Sequence, residues 1–213
     1  GTSILTYNDL HLLNGAIVNN NGTWTIDGSN ITVGAGGGTF NNHGRFEIPL
    51  YAGYSTIYSV FNNDDAAPLD GLNGVYVNSG VLTLAGGGTS DYAGFDAPFT
   101  IMAGTALRIQ NGYTFANATT DIGLGSLELA GGTVNTAGVL RANDITVSGP
   151  VISDGDLTLV TNTFINSSGS ATPFTITGRW LIFSADPLLN TLGGITPDFK
   201  RYNCTEYFGG CFS

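Results

Sequence analysis

A short apolar–polar–apolar phrase recurs through the middle of this chain of 213 residues, and it constrains the fold more than any other feature. It reads Leu82-Thr83-Leu84 and Leu127-Glu128-Leu129, each followed by Ala-Gly-Gly, and looser copies begin at Leu107, Ile145 and Phe164. Successive copies start 25, 20, 18 and 19 residues apart. A period near 20 residues with two or three short strands per repeat predicts a β-solenoid, in which each turn stacks on the previous one.

The residue types within the repeat fit this architecture. In Leu127-Glu128-Leu129, the leucines are expected to point inward and Glu128 outward, because side chains alternate across a strand. Further strands are expected at residues 139–141 and 156–160. Residues that favour helices are scarce, so residues 8–13 and 64–69 are only short helix candidates. If about ten turns fit in the chain, the spacing between strands gives a rod roughly 50 Å long.

An antiparallel β-sandwich or jelly roll is the alternative fold. It also consists of short strands with a turn every 8–12 residues or so. Four Asn-Gly pairs would suit its tight hairpins: Asn14-Gly15, Asn21-Gly22, Asn73-Gly74 and Asn111-Gly112. The repeated Leu-x-Leu-Ala-Gly-Gly phrase favours the all-β solenoid over this alternative.

Three regions follow from the pattern. Residues 1–73 form an irregular N-terminal β region or the first turns, and residues 74–184 contain the solenoid repeats. Residues 185–213 form a C-terminal segment that contains Cys204 and Cys211. Six residues lie between these cysteines, and this spacing predicts a disulfide in an oxidising compartment, with two free thiols as the alternative.

A family resemblance is carried by residues 173–203. They contain Thr175-Ile176-Thr177-Gly178-Arg179-Trp180-Leu181-Ile182-Phe183-Ser184, then Asp186-Pro187, Thr191-Leu192-Gly193-Gly194 and Asp198-Phe199-Lys200-Arg201-Tyr202-Asn203. This succession resembles the segment that closes the solenoid of filamentous-haemagglutinin-like adhesins, which are bacterial secreted proteins of the two-partner and autotransporter kind. Residues 80–89 and 131–135 are similar to repeats of that family.

The resemblance implies a right-handed parallel β-helix, an extracellular or cell-surface location, and a role in adhesion or matrix building. The family's secretion domain is not recognised at the N-terminus, and the chain stops soon after the two cysteines. Both departures lead us to expect a piece of a longer molecule.

The charge balance limits the partners. The formal net charge is −10, and six Lys and Arg residues cannot neutralise a nucleic-acid backbone or an anionic membrane surface. No run of about 18 apolar residues occurs, so membrane insertion is not expected.

The densest acidic cluster consists of Asp64, Asp65 and Asp70. Carboxylate oxygens are ligands for Ca²⁺, and paired carboxylates also cleave glycosides. A solvated acidic loop is the alternative explanation, and no EF-hand spacing occurs. The histidines, His11 and His43, have no nucleophile near them in sequence. We therefore expect no catalytic residue and no cofactor, with Ca²⁺ as the one ion that the cluster would suit.

Four tyrosines are candidates for ligand binding: Tyr51, Tyr54, Tyr58 and Tyr92. Exposed tyrosine rings beside Asn and Asp are typical of sugar sites, because the ring packs on the sugar while amides and carboxylates bond its hydroxyls. The alternative is that these rings plug the end of the solenoid or pack under a loop.

The residues therefore favour a structural or adhesive segment that is not an enzyme. Its partners would be further copies, neighbouring repeats of a longer chain, or host and matrix glycans. One alternative is a carbohydrate- or ice-binding module, for which Thr83, Thr133, Thr146, Thr158 and Thr175 are outward candidates. The other is a β-helical polysaccharide lyase or hydrolase, which would need carboxylates or basic residues gathered in one groove.

Overall fold

The computed structural model describes residues 1–64, 73–91, 98–117, 119–136 and 138–196. These residues form parallel β-sheets stacked as a β-solenoid of about eight turns. The predicted parallel β-helix is therefore confirmed, and the sandwich or jelly roll is not the fold. The number of turns is lower than the ten expected for the whole chain, because the last strand of the described turns ends at Ser184.

Three strands form each of the first six turns. The first three turns comprise β1 (Thr2–Thr6), β2 (Leu10–Leu12), β3 (Ala16–Asn20), β4 (Thr23–Asp27), β5 (Ile31–Val33), β6 (Gly38–Asn42), β7 (Arg45–Ile48), β8 (Tyr54–Ile57) and β9 (Val60–Asp64). The next three comprise β10 (Gly74–Val77), β11 (Val81–Leu84), β12 (Thr89–Asp91), β13 (Phe99–Ile101), β14 (Ala106–Ile109), β15 (Tyr113–Phe115), β16 (Thr119–Asp121), β17 (Ser126–Leu129) and β18 (Gly132–Thr136).

The later turns have longer strands. They comprise β19 (Val139–Val147), β20 (Val151–Ser153), β21 (Leu157–Asn166), β22 (Phe174–Ile176) and β23 (Trp180–Ser184), followed by a 3₁₀ helix at Pro187–Leu189. The strands predicted at 139–141 and 156–160 are the first parts of β19 and β21. The helix expected at residues 8–13 is wrong, because β2 lies there and pairs in parallel with β5.

Three sheets run along the solenoid. The first sheet has the order β1-β4-β7-β10-β13, and the second has the order β2-β5-β8-β11-β14-β17-β19-β21-β23, with β16 beside β19. The third sheet has the order β3-β6-β9-β12-β15-β18-β20-β22. We call their outer surfaces the first, second and third faces. The first corner joins the first and second sheets, the second corner joins the second and third, and the third corner leads back to the first.

Residues 1–64 form the first three turns, and their strands continue into the same three sheets as those of residues 74–184. The core of these turns is aromatic. The rings of Phe40 and Phe61 are stacked with centroids 5.8 Å apart, and Phe46 packs edge-on against both. All three side chains are fully buried.

The apolar repeat defines the register of the second sheet. Leu82 pairs with Leu107, Leu107 with Leu127, Leu127 with Ile145, and Ile145 with Phe164. All five side chains are fully buried, whereas Glu128 points outward as predicted. The longest step, from Leu82 to Leu107, spans residues 92–97, so the additional length lies between β12 and β13 and leaves the stacking unchanged.

Candidate functional site

The third face carries a column of amide and hydroxyl side chains in register along the rod. We call this the outer amide column, and it consists of Asn19, Asn41, Asn62, Thr89, Thr114 and Asn135. Nδ2 of Asn41 donates to Oδ1 of Asn19 at 2.8 Å, and Nδ2 of Asn62 donates to Oδ1 of Asn41 at 2.9 Å. The hydroxyl of Thr89 then donates to Oδ1 of Asn62 at 3.3 Å.

A second column of amides lies directly behind the first, inside the solenoid. This inner amide column consists of Asn20, Asn42 and Asn63, all of them buried. Nδ2 of Asn20 donates to Oδ1 of Asn42 at 2.7 Å, and Nδ2 of Asn42 donates to Oδ1 of Asn63 at 2.8 Å. The same amides also donate to backbone carbonyls near the third corner, including those of Gly44 and Pro98. Buried polar groups need such partners, so the inner column fixes the strands that carry the outer one.

The sequence contains a signal for both columns. Asparagine doublets lie in three successive strands of the third sheet, spaced 22 and 21 residues apart: Asn19-Asn20, Asn41-Asn42 and Asn62-Asn63. Alternation along each strand then places one amide outside and the next inside. The structure places the three doublets in β3, β6 and β9.

Beside the outer amide column lies a second column without charge. In the first turns it consists of Ile17, Thr39 and Val60, and near the other end it consists of Thr133, Ile152 and Thr175. Ile17 and Val60 are 64% and 39% exposed. Of the five threonines predicted to point outward, Thr133 and Thr175 lie in this column. The other three do not, because Thr83 and Thr146 belong to the second sheet and Thr158 pairs with Val139 at the start of β19.

Charged groups lie at the border of the third face, at the third corner. Nδ1 of His43 contacts Oδ1 of Asp64, and Asp91 follows Asp64 in register on the next strand. Asp64 thus has a histidine partner, while Asp65 and Asp70 lie outside the described residues. Among the residues that the structure describes, no group of three or more His, Cys, Asp or Glu could hold a metal ion.

The predicted tyrosines do not form one cluster. Tyr51 lies at the first corner and Tyr54 begins β8, whereas Tyr58 follows the end of β8 at the second corner. They are 97%, 78% and 50% exposed, so none of the three rings plugs the solenoid or packs beneath a loop. Tyr58 precedes Val60 by two residues and therefore borders the third face. Tyr92 lies outside the described residues, as do Cys204 and Cys211.

The other two faces each carry an ion pair, one within a strand and one between two neighbouring strands. On the first face, Nε of Arg45 donates to Glu47 at 3.0 Å, and its guanidinium lies 3.7 Å from the centre of the Tyr76 ring. The hydrogen bond to Glu47 raises the pKa of Arg45 despite its partial burial. On the second face, Arg108 lies 3.5 Å from Glu128, which also accepts from Ser148. The carboxylates of Glu47 and Glu128 therefore have partners on the outer surface.

A pocket of about 200 Å³ lies beside the last turn. Its lining residues are Ala171, Thr172, Pro173, Phe174, Trp180, Ile195 and Thr196. None of these side chains titrates, so the described part of the pocket can hold an apolar group but supplies no acid or base.

Comparison with known proteins provides no relative: no family model, no curated protein and no solved structure matches the chain. In the described part of the chain, no helix is both long and apolar enough to cross a membrane. The third face must therefore be interpreted from its own chemistry.

Proposed function

We propose that this chain is a structural and adhesive segment of an extracellular bacterial surface protein or fibre. The observation that carries this proposal is the unbroken second sheet, whose nine strands from β2 to β23 pair in parallel. Each turn of such a solenoid packs on its neighbours, so the rod lengthens by repetition without needing a ligand.

The setting outside the cell is supported by the family resemblance of residues 173–203 and by the surface composition. Charged residues make up only 10% of the chain, so most of its polar side chains are neutral. In an oxidising environment, Cys204 and Cys211 would form a disulfide.

Association with other copies, or with neighbouring repeats of a longer chain, is part of the proposal. Terminal strands of a parallel solenoid have free backbone donors and acceptors, which another solenoid can pair with. A head-to-tail contact of this kind does not close on itself, so it would propagate into a fibre.

Two measurements test this function. Electron microscopy of the purified protein over a range of concentrations should show thin rods, and end-to-end association would produce fibres with a repeat near the length of one solenoid. Immunogold labelling of the cells that produce the protein should place it outside the envelope. Label confined to the cell interior would overturn the proposal. As an additional check of adhesion, beads coated with the chain should adhere to host cells or matrix better than albumin-coated beads, and equal adhesion would also overturn it.

A second candidate function is carbohydrate binding. It is favoured by the third face, where exposed amides lie beside apolar side chains and the exposed ring of Tyr58.

A further inference from the structure

We propose that the third face binds an extended, neutral polysaccharide chain lying parallel to the rod axis. This inference goes beyond the structural role, because a rod needs no ligand, and either proposal can fail without the other. It rests on the hydrogen-bonding capacity, the apolar neighbours, the charge and the regular spacing of the outer amide column.

The amides of the outer column have unused hydrogen-bonding groups. An asparagine amide has two N–H donors and an oxygen with two lone pairs. Asn41 uses one N–H toward Asn19 and one lone pair for Asn62, so a second donor and a second acceptor remain on an exposed face. Since these bonds between amides fix the side chains, little conformational entropy is lost when a ligand binds.

The adjacent column supplies apolar contacts. Ile17, Thr39 and Val60 run parallel to the amides, and Tyr58, which is 50% exposed, lies at the edge of the same face. Sugars have apolar C–H faces and polar rims, so a surface with a ring and aliphatic groups on one side and amides on the other matches both parts.

Charge restricts the ligand to a neutral polymer. Neither column contains a charged side chain. Asp64 and Asp91 lie at the border of the face, and Asp154 follows the outer amide column, where its backbone N–H donates to Oδ1 of Asn135 at 3.3 Å. A sulfated or uronic-acid polymer would be repelled by these carboxylates.

The spacing of the outer amide column restricts the ligand to an extended polymer. The column repeats at the spacing between strands, about 4.8 Å, with one residue from each successive turn. Regularly spaced donors and acceptors in one row suit an unbranched chain with regularly spaced hydroxyls, and they do not suit a coiled or branched one.

The test is depletion binding of the purified chain to microcrystalline cellulose, with starch granules and polygalacturonate as comparison polymers. We expect saturable binding to cellulose, at least about tenfold tighter than to either comparison polymer. Asn41→Asp should weaken binding about tenfold, because it removes a donor and adds a negative charge to the face. Asn162→Asp is the matched control, since Asn162 is also an outward-facing amide that donates to an asparagine of the adjacent turn, Asn143, at 2.8 Å.

A second pair of variants tests whether the tyrosine at the second corner contributes to binding. Tyr58→Ala should weaken binding to cellulose several-fold, whereas Tyr54→Ala at the other end of β8 should leave it unchanged. Urea unfolding midpoints of all four variants verify that they are folded.

Several outcomes overturn the inference. One is no binding of the unmodified chain to cellulose, and another is equal loss in Asn41→Asp and Asn162→Asp. Partition of the chain into growing ice without glycan binding would assign the face to ice instead. A sedimentation coefficient that rises with concentration and falls in Asn41→Asp would assign it to a second copy.

Discussion

Of two neighbouring asparagines on β6, one is buried in the core and the other faces outward. Substituting each in turn tests whether the inner amide column stabilises the fold. Asn42 is fully buried and has hydrogen bonds to Asn20, Asn63 and the Gly44 carbonyl, whereas Asn41 is on the outer face. Asn42→Ala should lower the free energy of unfolding by about 3 kcal/mol, because several buried groups lose their partners. Asn41→Ala should cost less than about 1 kcal/mol. Urea unfolding of both variants measures the difference, and equal losses would contradict the inner amide column.

Tyr113 gives the protein a sensitivity to high pH. Its side chain is buried and its hydroxyl donates to the Thr89 carbonyl at 2.9 Å. Burial, and then the negative charge of Asp64, raise the pKa of Tyr113 well above its ordinary value of 10.0. Above pH 10, this tyrosine loses its proton in the unfolded chain but keeps it in the folded chain. The free energy of unfolding therefore falls as pH rises.

Tyr113→Phe should therefore flatten the alkaline decline. Removing this group should reduce the slope of unfolding free energy against pH by up to about 1.4 kcal/mol per pH unit above pH 10. The variant should also be less stable at pH 8 by about 1 kcal/mol, because the hydrogen bond to Thr89 is lost. Urea unfolding across this range measures both effects. Tyr51→Phe, at an exposed ring, is the control, and a slope shared by Tyr113→Phe and the unmodified chain would refute the prediction.

At the scale of elements, the first corner depends on close stacking of successive turns. Gly80 and Gly104 both lie at this corner with positive φ, +68° and +78°. A Cβ on Gly80 would overlap the Gly53 carbonyl oxygen of the preceding turn, whereas a Cβ on Gly104 would meet nothing within 4 Å. The two positions therefore separate backbone strain from steric overlap.

Alanine at the two positions should have unequal effects. Gly104→Ala should cost about 1 kcal/mol, which is the cost of a left-handed conformation with a Cβ. Gly80→Ala should cost about 2 kcal/mol or more beyond this, because the backbone of one turn must move. Thermal and urea unfolding will rank the variants, and a Gly104→Ala protein as unstable as Gly80→Ala would show that the stacking at this corner is loose.

For the whole molecule, the register predicts which deletions the solenoid tolerates. Ala106 pairs with Ser126, so residues 106–125 make one complete turn. Deleting them brings Leu127 to the position of Leu107, beside Leu82, and leaves every sheet continuous. The shortened chain should unfold cooperatively and be shorter by about 4.8 Å in small-angle scattering.

Deletion of residues 106–115 alone is the matched control. It removes β14 and β15 but not β16, so β16 would follow β13 at the place where β14 is required. This variant should lose its β circular-dichroism signal and its cooperative transition. If the full-turn deletion behaved in the same way, the turns would not be equivalent units.

The sequence alone predicted the parts of the structure that repeat. The Leu82 to Phe164 series predicted the register of five strands, and the alternation around Glu128 predicted its outward position. These predictions succeeded because burial in a stacked turn demands an apolar residue at a fixed place in each repeat. The asparagine doublets were also visible, but Asn is equally common in turns, so composition could not distinguish a ladder from a loop.

The placement of the candidate site was decided only by the tertiary structure. Tyr54 and Tyr58 are four residues apart in sequence, yet β8 separates them onto two different corners. Asn19, Asn41 and Asn62 are distant in sequence, yet stacking joins them by hydrogen bonds. The sequence by itself determined the period, the all-β class and the buried apolar column, since each depends on local alternation. Which side chains share a face depends on where each corner falls, and corner lengths vary from turn to turn, so only the assembled solenoid determines it.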